Sequence, residues 1–315
     1  MSSLDEDGIA LKPKLTFGEM INHLERKNIK FNLIDKNEAE EMLRSSNYFY
    51  KITAYRKNFE KNKHGKYINL EFKLLRDLST IDMRLRYTVL QMCLDIEHTL
   101  KTKLLAEITD DENEDGYEIV RDFFTWANID VEKLIRPLTN QSHYNYGLYV
   151  KYQNNWPIWV VLEIIMFSDF VKFIEFYYDR KNKPDSYSDL QKVLKYVKNI
   201  RNIAAHNSPI LIDITHKNQI MAHKVSQPIT TFTKRITGML PGPRKNRLSN
   251  RKIHDLTALL FVYDKYIKSA EMKRTRYEAL VSLLERAKRD RNDYVNQDGL
   301  IAVYKYFKKI IDFVR

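Results

Sequence analysis

The chain has few of the residues that interrupt helices or cross-link a small fold. Of its 315 residues only Cys93 is a cysteine, and glycine and proline occur eight times each. A single cysteine cannot form an internal disulfide or by itself a thiolate zinc site, and scarce glycine and proline leave few turns for sheets. We therefore expect an all-α protein in a reducing compartment, the cytoplasm.

Long apolar runs are missing as well. No stretch approaches the roughly 20 apolar residues that span a bilayer, and Met1 to Asp7 are polar and acidic. We expect neither export nor membrane insertion. An apolar composition of 43% is nevertheless sufficient for a sizeable core.

Positive charge is in excess, with 53 lysines and arginines against 41 acidic residues. Such a surface attracts polyanions, so nucleic acid is an expected partner, although charge can also serve solubility alone. The segment 234–252 contains no acidic residue and includes Pro241-Gly242-Pro243, which predicts an exposed basic linker. The side chains that we expect to contact nucleic-acid phosphates there are Lys234, Arg235, Arg244, Lys245, Arg247, Arg251 and Lys252.

Apolar spacing predicts most of the helices. Thr16-x-x-Glu19 and Asp35-x-x-Glu38 are typical of helix starts. A long core helix is predicted by apolar residues at spacings of three and four, namely Leu78, Ile81, Leu85, Val89, Met92, Ile96 and Leu100. Further helices are predicted at about 159–178, 188–206, 253–270, 276–289 and 297–313, with a tyrosine-rich loop at 140–156.

We divide the chain into three segments. Residues 1–60 form a helical and aromatic segment, 61–215 a helical core, and 216–315 the basic linker with a C-terminal helical appendage. His216, His223 and His254 are too scattered to predict a metal site, and nothing in the sequence requires a cofactor.

The run Arg201–His206 carries the strongest chemical signal. Val193, Val197, Ile200 and Ala204 form one apolar stripe, and Arg201, Asn202, Ala205 and His206 occupy an arc of about 140° turned away from it. An imidazole transfers protons near neutral pH, and a guanidinium holds a phosphate by paired hydrogen bonds. Asn202 could orient the pair. A histidine near a helix end is, however, often only a cap.

The same run, followed by Asn207-Ser208-Pro209, resembles the RNxxAH signature of the Abi-like abortive-infection family of bacterial HEPN proteins, of the AbiD/AbiF type. The resemblance extends over about residues 12–212 in the family's order. Its other blocks are Lys12-Pro-Lys-Leu-Thr16, the aromatic segment 47–55, the long helix 78–104 with Ile96-Glu97, and 157–163 with Pro-x-Trp. Ala54 and Lys101 depart from the usual family residues.

The resemblance implies a HEPN-type helical bundle with additional N-terminal and C-terminal helices. It further implies a homodimer that joins two Arg/His motifs, metal-independent endoribonuclease activity by 2′-hydroxyl attack, and arrest of phage-infected cells. Some toxins of this kind are thought to be restrained by a small structured antitoxin RNA.

Several other residues are open to two interpretations. Glu97 could orient Arg201 or pair with Lys101 at i, i+4, and Arg86 could line the RNA path or be solvated. Tyr146, in a tyrosine cluster with Lys151, could stack on RNA bases, although aromatic clusters usually build a core.

Three hypotheses follow. The first is an endoribonuclease toxin in which His206 transfers the proton and Arg201 holds the phosphate. The second is a non-catalytic protein that sequesters a regulatory RNA, and the third is a phage sensor that acts through a protein partner. His206→Ala separates the first two. If the protein is an enzyme, the variant should lose RNA cleavage and keep RNA binding, and if it is a binding protein, the variant should change neither.

Overall fold

The computed structural model describes residues 13–46, 48–153, 155–181, 188–215 and 224–315, so His216, His223, Lys12 and Asn47 lie outside the described residues. The all-α prediction is confirmed. The only strands among the described residues are β1 (Ile29–Lys30) and β2 (Leu70–Glu71), which pair in parallel. The helices are α1 (Phe17–Arg26), α2 (Lys36–Ser45), α3 (Phe49–Ala54), α4 (Phe72–Thr109), α5 (Glu118–Trp126), α6 (Val131–Ile135), α7 (Tyr146–Tyr152), α8 (Ile158–Ile164), α9 (Phe167–Arg180), α10 (Ser188–Ala205), α11 (Gln227–Lys234), α12 (Pro241–Leu248), α13 (Arg251–Tyr266), α14 (Ala270–Lys288) and α15 (Asp298–Val314).

The two predicted helix starts are confirmed by their caps. The Thr16 hydroxyl accepts a hydrogen bond from the Glu19 backbone N–H, and the Glu19 carboxylate accepts one from the Thr16 backbone N–H. The Asp35 carboxylate likewise accepts a hydrogen bond from the Glu38 N–H at 2.9 Å. Each cap satisfies backbone donors that a helix start leaves unpaired.

Helix α4 is the long core helix that the apolar stripe predicts. It has 38 residues and is therefore about 57 Å long. Of the predicted stripe, Leu85 is half-buried, and the fully buried members are Leu78, Ile81, Val89, Met92, Ile96 and Leu100. The spacing of these apolar residues therefore correctly predicts the buried face of α4.

The chain folds into two compact units, and each unit is built from separate stretches of sequence. Unit 1 comprises the described residues within 1–86, 209–217 and 281–308, and unit 2 comprises those within 87–208, 218–280 and 309–315. The segment boundaries predicted near residues 60 and 215 stay predictions.

In unit 1 a buried carboxylate anchors the stretch that follows α10 in the chain. Asp82 accepts hydrogen bonds from the Tyr55 hydroxyl at 2.9 Å and from the backbone N–H groups of Ile210 and Leu211 at 2.8 and 2.6 Å. It also forms an ion pair with Arg86, which is only 2% exposed. Arg86 is therefore neither solvated nor free to line an RNA path, and both sequence interpretations of it are wrong.

Unit 2 is organised around the packing of α13 along α10. Every residue of α13 from Ile253 to Tyr263 is buried, although the helix starts in the basic part of the sequence. His254 is fully buried. Its ring lies 4.4 Å from that of Tyr196, its Nε2 accepts a hydrogen bond from the Ser226 N–H, and its Nδ1 lies 3.1 Å from Asp255.

The expectation of an exposed linker at 234–252 is wrong. Pro241 is the first residue of α12, where its missing N–H costs no hydrogen bond and its fixed φ suits a helix, so Pro241-Gly242-Pro243 begins a helix instead of breaking one. Lys234, Arg235, Lys245 and Arg251 are exposed, whereas the half-buried cations are Arg244, Arg247 and Lys252.

Other element boundaries also differ from the predictions. Residues 146–152 of the expected tyrosine-rich loop form α7, and the single helix expected at 159–178 is divided because Ile165 and Met166 have extended backbones. Helix α14 begins at Ala270, six residues before the predicted start. No helix in the described parts of the chain combines the length and apolarity that a bilayer crossing requires.

Candidate active site

Helix α10 places the Arg201–His206 motif at its C-terminal end. Val193, Val197, Ile200 and Ala204 are buried as predicted, whereas Arg201 and Asn202 are half-buried and Ala205 and His206 are exposed. One helix face thus enters the core of unit 2 and leaves the polar motif residues outside the buried stripe.

The helix stops directly after the motif through a Schellman turn. The Ser208 N–H donates to the Ile203 carbonyl at 3.0 Å, and the Asn207 N–H donates to the Ala204 carbonyl at 3.1 Å. Asn207 has a φ of 53°, the left-handed conformation that this turn requires. His206 is consequently the last residue before the reversal, and its side chain is solvent-exposed.

The Arg201 guanidinium is packed but retains hydrogen-bonding capacity. Its Cζ lies 5.6 Å from the centre of the Phe167 ring, and its Nη1 donates a long hydrogen bond of 3.5 Å to Asn202 Oδ1. Its buried Nε has no hydrogen-bond partner among the described residues. An unpartnered buried donor is costly, so the packing of Arg201 leaves one hydrogen bond unmade.

Glu97 forms the i, i+4 pair with Lys101. The Lys101 ammonium lies 2.9 Å from Glu97 Oε1 and 5.7 Å from the Phe170 ring centre, and both side chains of the pair are only about one-sixth exposed, at 17% and 16%. Of the two alternatives for Glu97, the lysine pair is therefore the one present, and it is half-buried instead of lying on the open surface.

Cys93 nevertheless links Glu97 to the motif. Burial is the main cause of the raised pKa of the Cys93 thiol; the charge of Arg201 counteracts it and the charge of Glu97 adds to it. Both charged groups therefore lie close enough to Cys93 to act on it. The Phe167 and Phe170 rings, which contact Arg201 and Lys101, lie 6.2 Å apart. Arg201, Glu97 and Lys101 thus share one neighbourhood in unit 2.

A family model for the Abi-like protein family matches residues 41–211, more than half of the chain, and the match includes the whole motif. The chain belongs to the Abi-like family. No curated protein and no solved structure gives a match. Membership in the Abi-like family indicates a role in abortive infection, a form of phage defence.

The Abi-like chain places Tyr146 at the start of α7. Tyr146 is half-buried, and its ring centre lies 6.2 Å from that of Tyr149. Tyr144 is fully exposed, and Lys151 lies 5.1 Å from the Tyr152 ring. The most accessible ring of this cluster is therefore Tyr144, which is better placed than Tyr146 to stack on a base.

The predicted RNA-contacting cations of this Abi-like protein lie on α11, α12 and the start of α13, in the same unit as the motif. Arg235 packs 5.8 Å from the Phe313 ring, and Arg251 lies 3.9 Å from Asp255. Burial lowers the pKa of Arg247. These cations therefore belong to an ordered, mainly helical segment and not to an irregular linker.

The sequence reasoning did not identify Phe167 and Phe170, the two rings that position the cations. The only signal for them is their spacing of three on a helix, which fits core packing equally well. Within the described residues, no group of three or more histidine, cysteine or acidic side chains is arranged to hold a metal ion.

Proposed function

We propose that this Abi-like protein is a HEPN-type endoribonuclease toxin of the bacterial cytoplasm. The observation that carries the proposal is the division of roles at the end of α10. A packed guanidinium with an unpartnered N–H lies on the helix, and an exposed imidazole lies at the point where the chain turns. These are the two groups that RNA scission by an internal nucleophile needs.

The reaction would proceed within the RNA. His206 removes the proton from a ribose 2′-hydroxyl, the 2′ oxygen forms a bond to the adjacent phosphorus, and the bond from phosphorus to the 5′ oxygen breaks. The leaving oxygen takes up a proton from an imidazolium, either that of the same motif or that of a second copy. Arg201 binds the phosphate oxygens, and Asn202 orients Arg201 through its side-chain oxygen. The nucleophile is part of the substrate, so this route needs no metal.

A second copy of the chain is the expected partner at this face. Ala205 is exposed and small, and the exposed apolar side chains Tyr87 and Leu94 lie on one side of α4, seven residues apart. Tyr87 is 59% and Leu94 is 52% exposed, and contact with a second copy would remove their apolar surface from water. We infer that Tyr87, Leu94 and Ala205, all in unit 2, contribute to one homodimer contact that brings two Arg201–His206 motifs together.

The dimer is tested with Leu94→Glu. We expect a monomer by light scattering and a large loss of RNA cleavage, because a charge at the centre of an apolar contact opposes association. Leu33→Glu, which changes a similarly exposed leucine in unit 1, is the matched control and should leave both properties unchanged. A dimer that persists in Leu94→Glu would contradict this face as the interface.

Cleavage is tested with purified full-length protein, total tRNA and mRNA in the presence of EDTA. We expect the unmodified protein to cut RNA and His206→Ala to cut about 100-fold or more slowly, the scale of general acid–base catalysis. Lys133→Ala, which removes an exposed ion-paired side chain of the same unit, should retain activity. Equal cutting by His206→Ala would overturn the assignment.

The second candidate function is RNA binding without cleavage, for example of a small structured RNA that restrains the toxin. The observation that favours it is segment 234–252, which runs from the end of α11 to the start of α13 and contains no acidic residue. Intact RNA in the EDTA assay, together with salt-sensitive binding that His206→Ala leaves unchanged, would select this function.

A further inference from the structure

A second basic surface lies in unit 1, apart in sequence from the motif and from segment 234–252. It consists of cations at the end of α1, at the turn after α3 and on the hairpin 60–67 that follows. We call it the hairpin face and define it by Arg26, Lys27, Arg56, Lys57, Lys61, Lys63 and Lys66.

The hairpin is built as a rigid support. The Asn62 side-chain oxygen accepts hydrogen bonds from the N–H groups of His64 and Lys66, both at 3.0 Å, and Gly65 adopts a φ of 73° that closes the turn. Lys61 and Tyr67 pair across the hairpin as an antiparallel bridge. The lysines are thus presented on a fixed backbone, which lowers the entropic cost of binding.

The same hairpin is joined to the end of α1. The Tyr67 N–H donates to the Lys27 carbonyl at 3.0 Å, and Asn28 Nδ2 donates to the Tyr67 carbonyl at 2.8 Å. The Lys66 ammonium donates to the Arg26 carbonyl. These contacts place Arg26 and Lys27 beside the hairpin lysines although about 40 residues separate them in the sequence.

Arg56 belongs to the same electropositive region. Burial, followed by the charges of Arg56, Lys27 and Arg26, lowers the pKa of the His23 imidazole, so these three cations act together on one ring. Arg56, Lys57 and Lys61 also line an open depression of about 590 Å³, together with Phe59, Tyr67 and two carboxylates, those of Glu60 and Asp213.

Most of this positive charge is not neutralised within the protein. Lys57, Lys61 and Lys63 are exposed, and none of them forms an ion pair with a carboxylate in the described parts of the chain. Many other exposed lysines do form such pairs, for example Lys36 with Glu25. Lys61 lies 5.0 Å from the centre of the Tyr67 ring, which leaves its charge in place. A concentration of cations without carboxylate partners is unfavourable for folding and is favourable for binding a polyanion.

We propose that the hairpin face binds the phosphate backbone of a folded RNA, as a contact separate from helices α11 to α13. The two aromatic rings of the depression, Phe59 and Tyr67, are buried, so they are not available to stack on bases. Residues 60–66 contain no apolar side chain that could enter a bilayer. The face therefore matches regularly spaced phosphates better than unpaired bases or a lipid surface. The inference rests on the proposed RNA partner and does not depend on cleavage.

The test uses the full-length chain carrying His206→Ala, so that bound RNA stays intact, and purified total tRNA as the probe. The test variant adds Lys57→Gln, Lys61→Gln and Lys63→Gln. The matched control adds Lys133→Gln, Lys172→Gln and Lys288→Gln, which remove the same charge from exposed lysines that pair with carboxylates. Circular dichroism should be identical for all three proteins.

We expect the test variant to bind tRNA at least about tenfold more weakly at low salt, with a shallower dependence on salt. Raising the salt concentration from 50 to 200 mM weakens RNA binding by some factor. Because three phosphate contacts are lost, this factor should be about 20- to 40-fold smaller for the test variant than for the control. Equal affinities and equal salt slopes for test and control variants would overturn the proposal. It would also be overturned if the test variant bound tRNA normally but lost binding to phosphatidylserine vesicles. A failure of RNA cleavage would leave this result unaffected, because binding alone is measured.

Discussion

Replacing Asp82 with asparagine should strongly destabilise the protein, because this carboxylate holds four groups at once. It accepts hydrogen bonds from the Tyr55 hydroxyl and from the N–H groups of Ile210 and Leu211, and it neutralises Arg86. Asp82 is fully buried and Arg86 nearly so. Asparagine keeps one acceptor oxygen but leaves the arginine without its counter-charge and directs an amide N–H₂ toward other donors.

The size of the effect follows from burial. Removing one partner of a buried ion pair costs about 3–5 kcal/mol, since the remaining charge stays desolvated and uncompensated. Each backbone N–H that loses its acceptor adds about 1–3 kcal/mol unless the new oxygen replaces it. We therefore expect Asp82→Asn to lower the free energy of unfolding by about 3–5 kcal/mol, a large part of the roughly 5–15 kcal/mol that stabilises a typical protein.

The assay is urea unfolding of the full-length protein, followed by circular dichroism, for Asp82→Asn, Arg86→Met and the double variant. Removing both charges should cost clearly less than the sum of the single changes, because no uncompensated charge remains. If Asp82→Asn lowers the unfolding free energy by less than about 1 kcal/mol, or if the two changes are additive, the ion pair is not the anchor described here.

Three other outcomes test separate parts of the structure. Gly116→Ala should lower the melting temperature by several degrees, because Gly116 has a φ of 77° and a new Cβ would lie 2.6 Å from the Trp159 ring. Asn207→Ala should cost about 1 kcal/mol in urea unfolding and Asn207→Gly less, since the turn after His206 needs a left-handed residue. Burial raises the pKa of Tyr55 to about 12, so the folded protein holds the phenol proton more tightly than the unfolded chain does. The resulting contribution to the free energy of unfolding is fully present below pH 10, the pKa of an unperturbed tyrosine. It should be lost above that, by about 1.4 kcal/mol per pH unit, in unmodified protein compared with Tyr55→Phe.

Local periodicity accounts for what could be predicted from the sequence. Burial on a helix follows its 3.6-residue repeat, so the stripes of α4 and α10 and the outward position of the motif could be read directly. The Asp35 and Thr16 caps could be predicted for the same reason, since each involves residues three apart. These features need only neighbours in the chain.

Contacts between distant residues could not be predicted in this way. Asp82 is separated by 128 and 129 residues from the two backbone N–H groups that it binds. The sequence alone does not distinguish a buried aspartate from a solvated one. Arg86 pairs with Asp82 only four residues away, but the burial of that pair depends on contacts with distant residues, so its environment could not be predicted. Pro241 was misinterpreted because proline ends a helix from inside but is favourable at its first position, and the sequence alone does not locate that position.

The different environments of Arg201 and His206 suit the different demands of the proposed reaction. A guanidinium binds a phosphate more strongly when it is partly removed from water, and Arg201 achieves this by packing against Phe167 while its Nε stays unpartnered. A general base must instead exchange protons with its surroundings between turnovers, and His206 at the exposed end of α10 can do so. Because the Schellman turn at Asn207 ends the helix at this point, the same five-residue spacing places one group against the core and the other in solvent. A motif in the middle of a longer helix would hold its histidine between two further turns and restrict access to it.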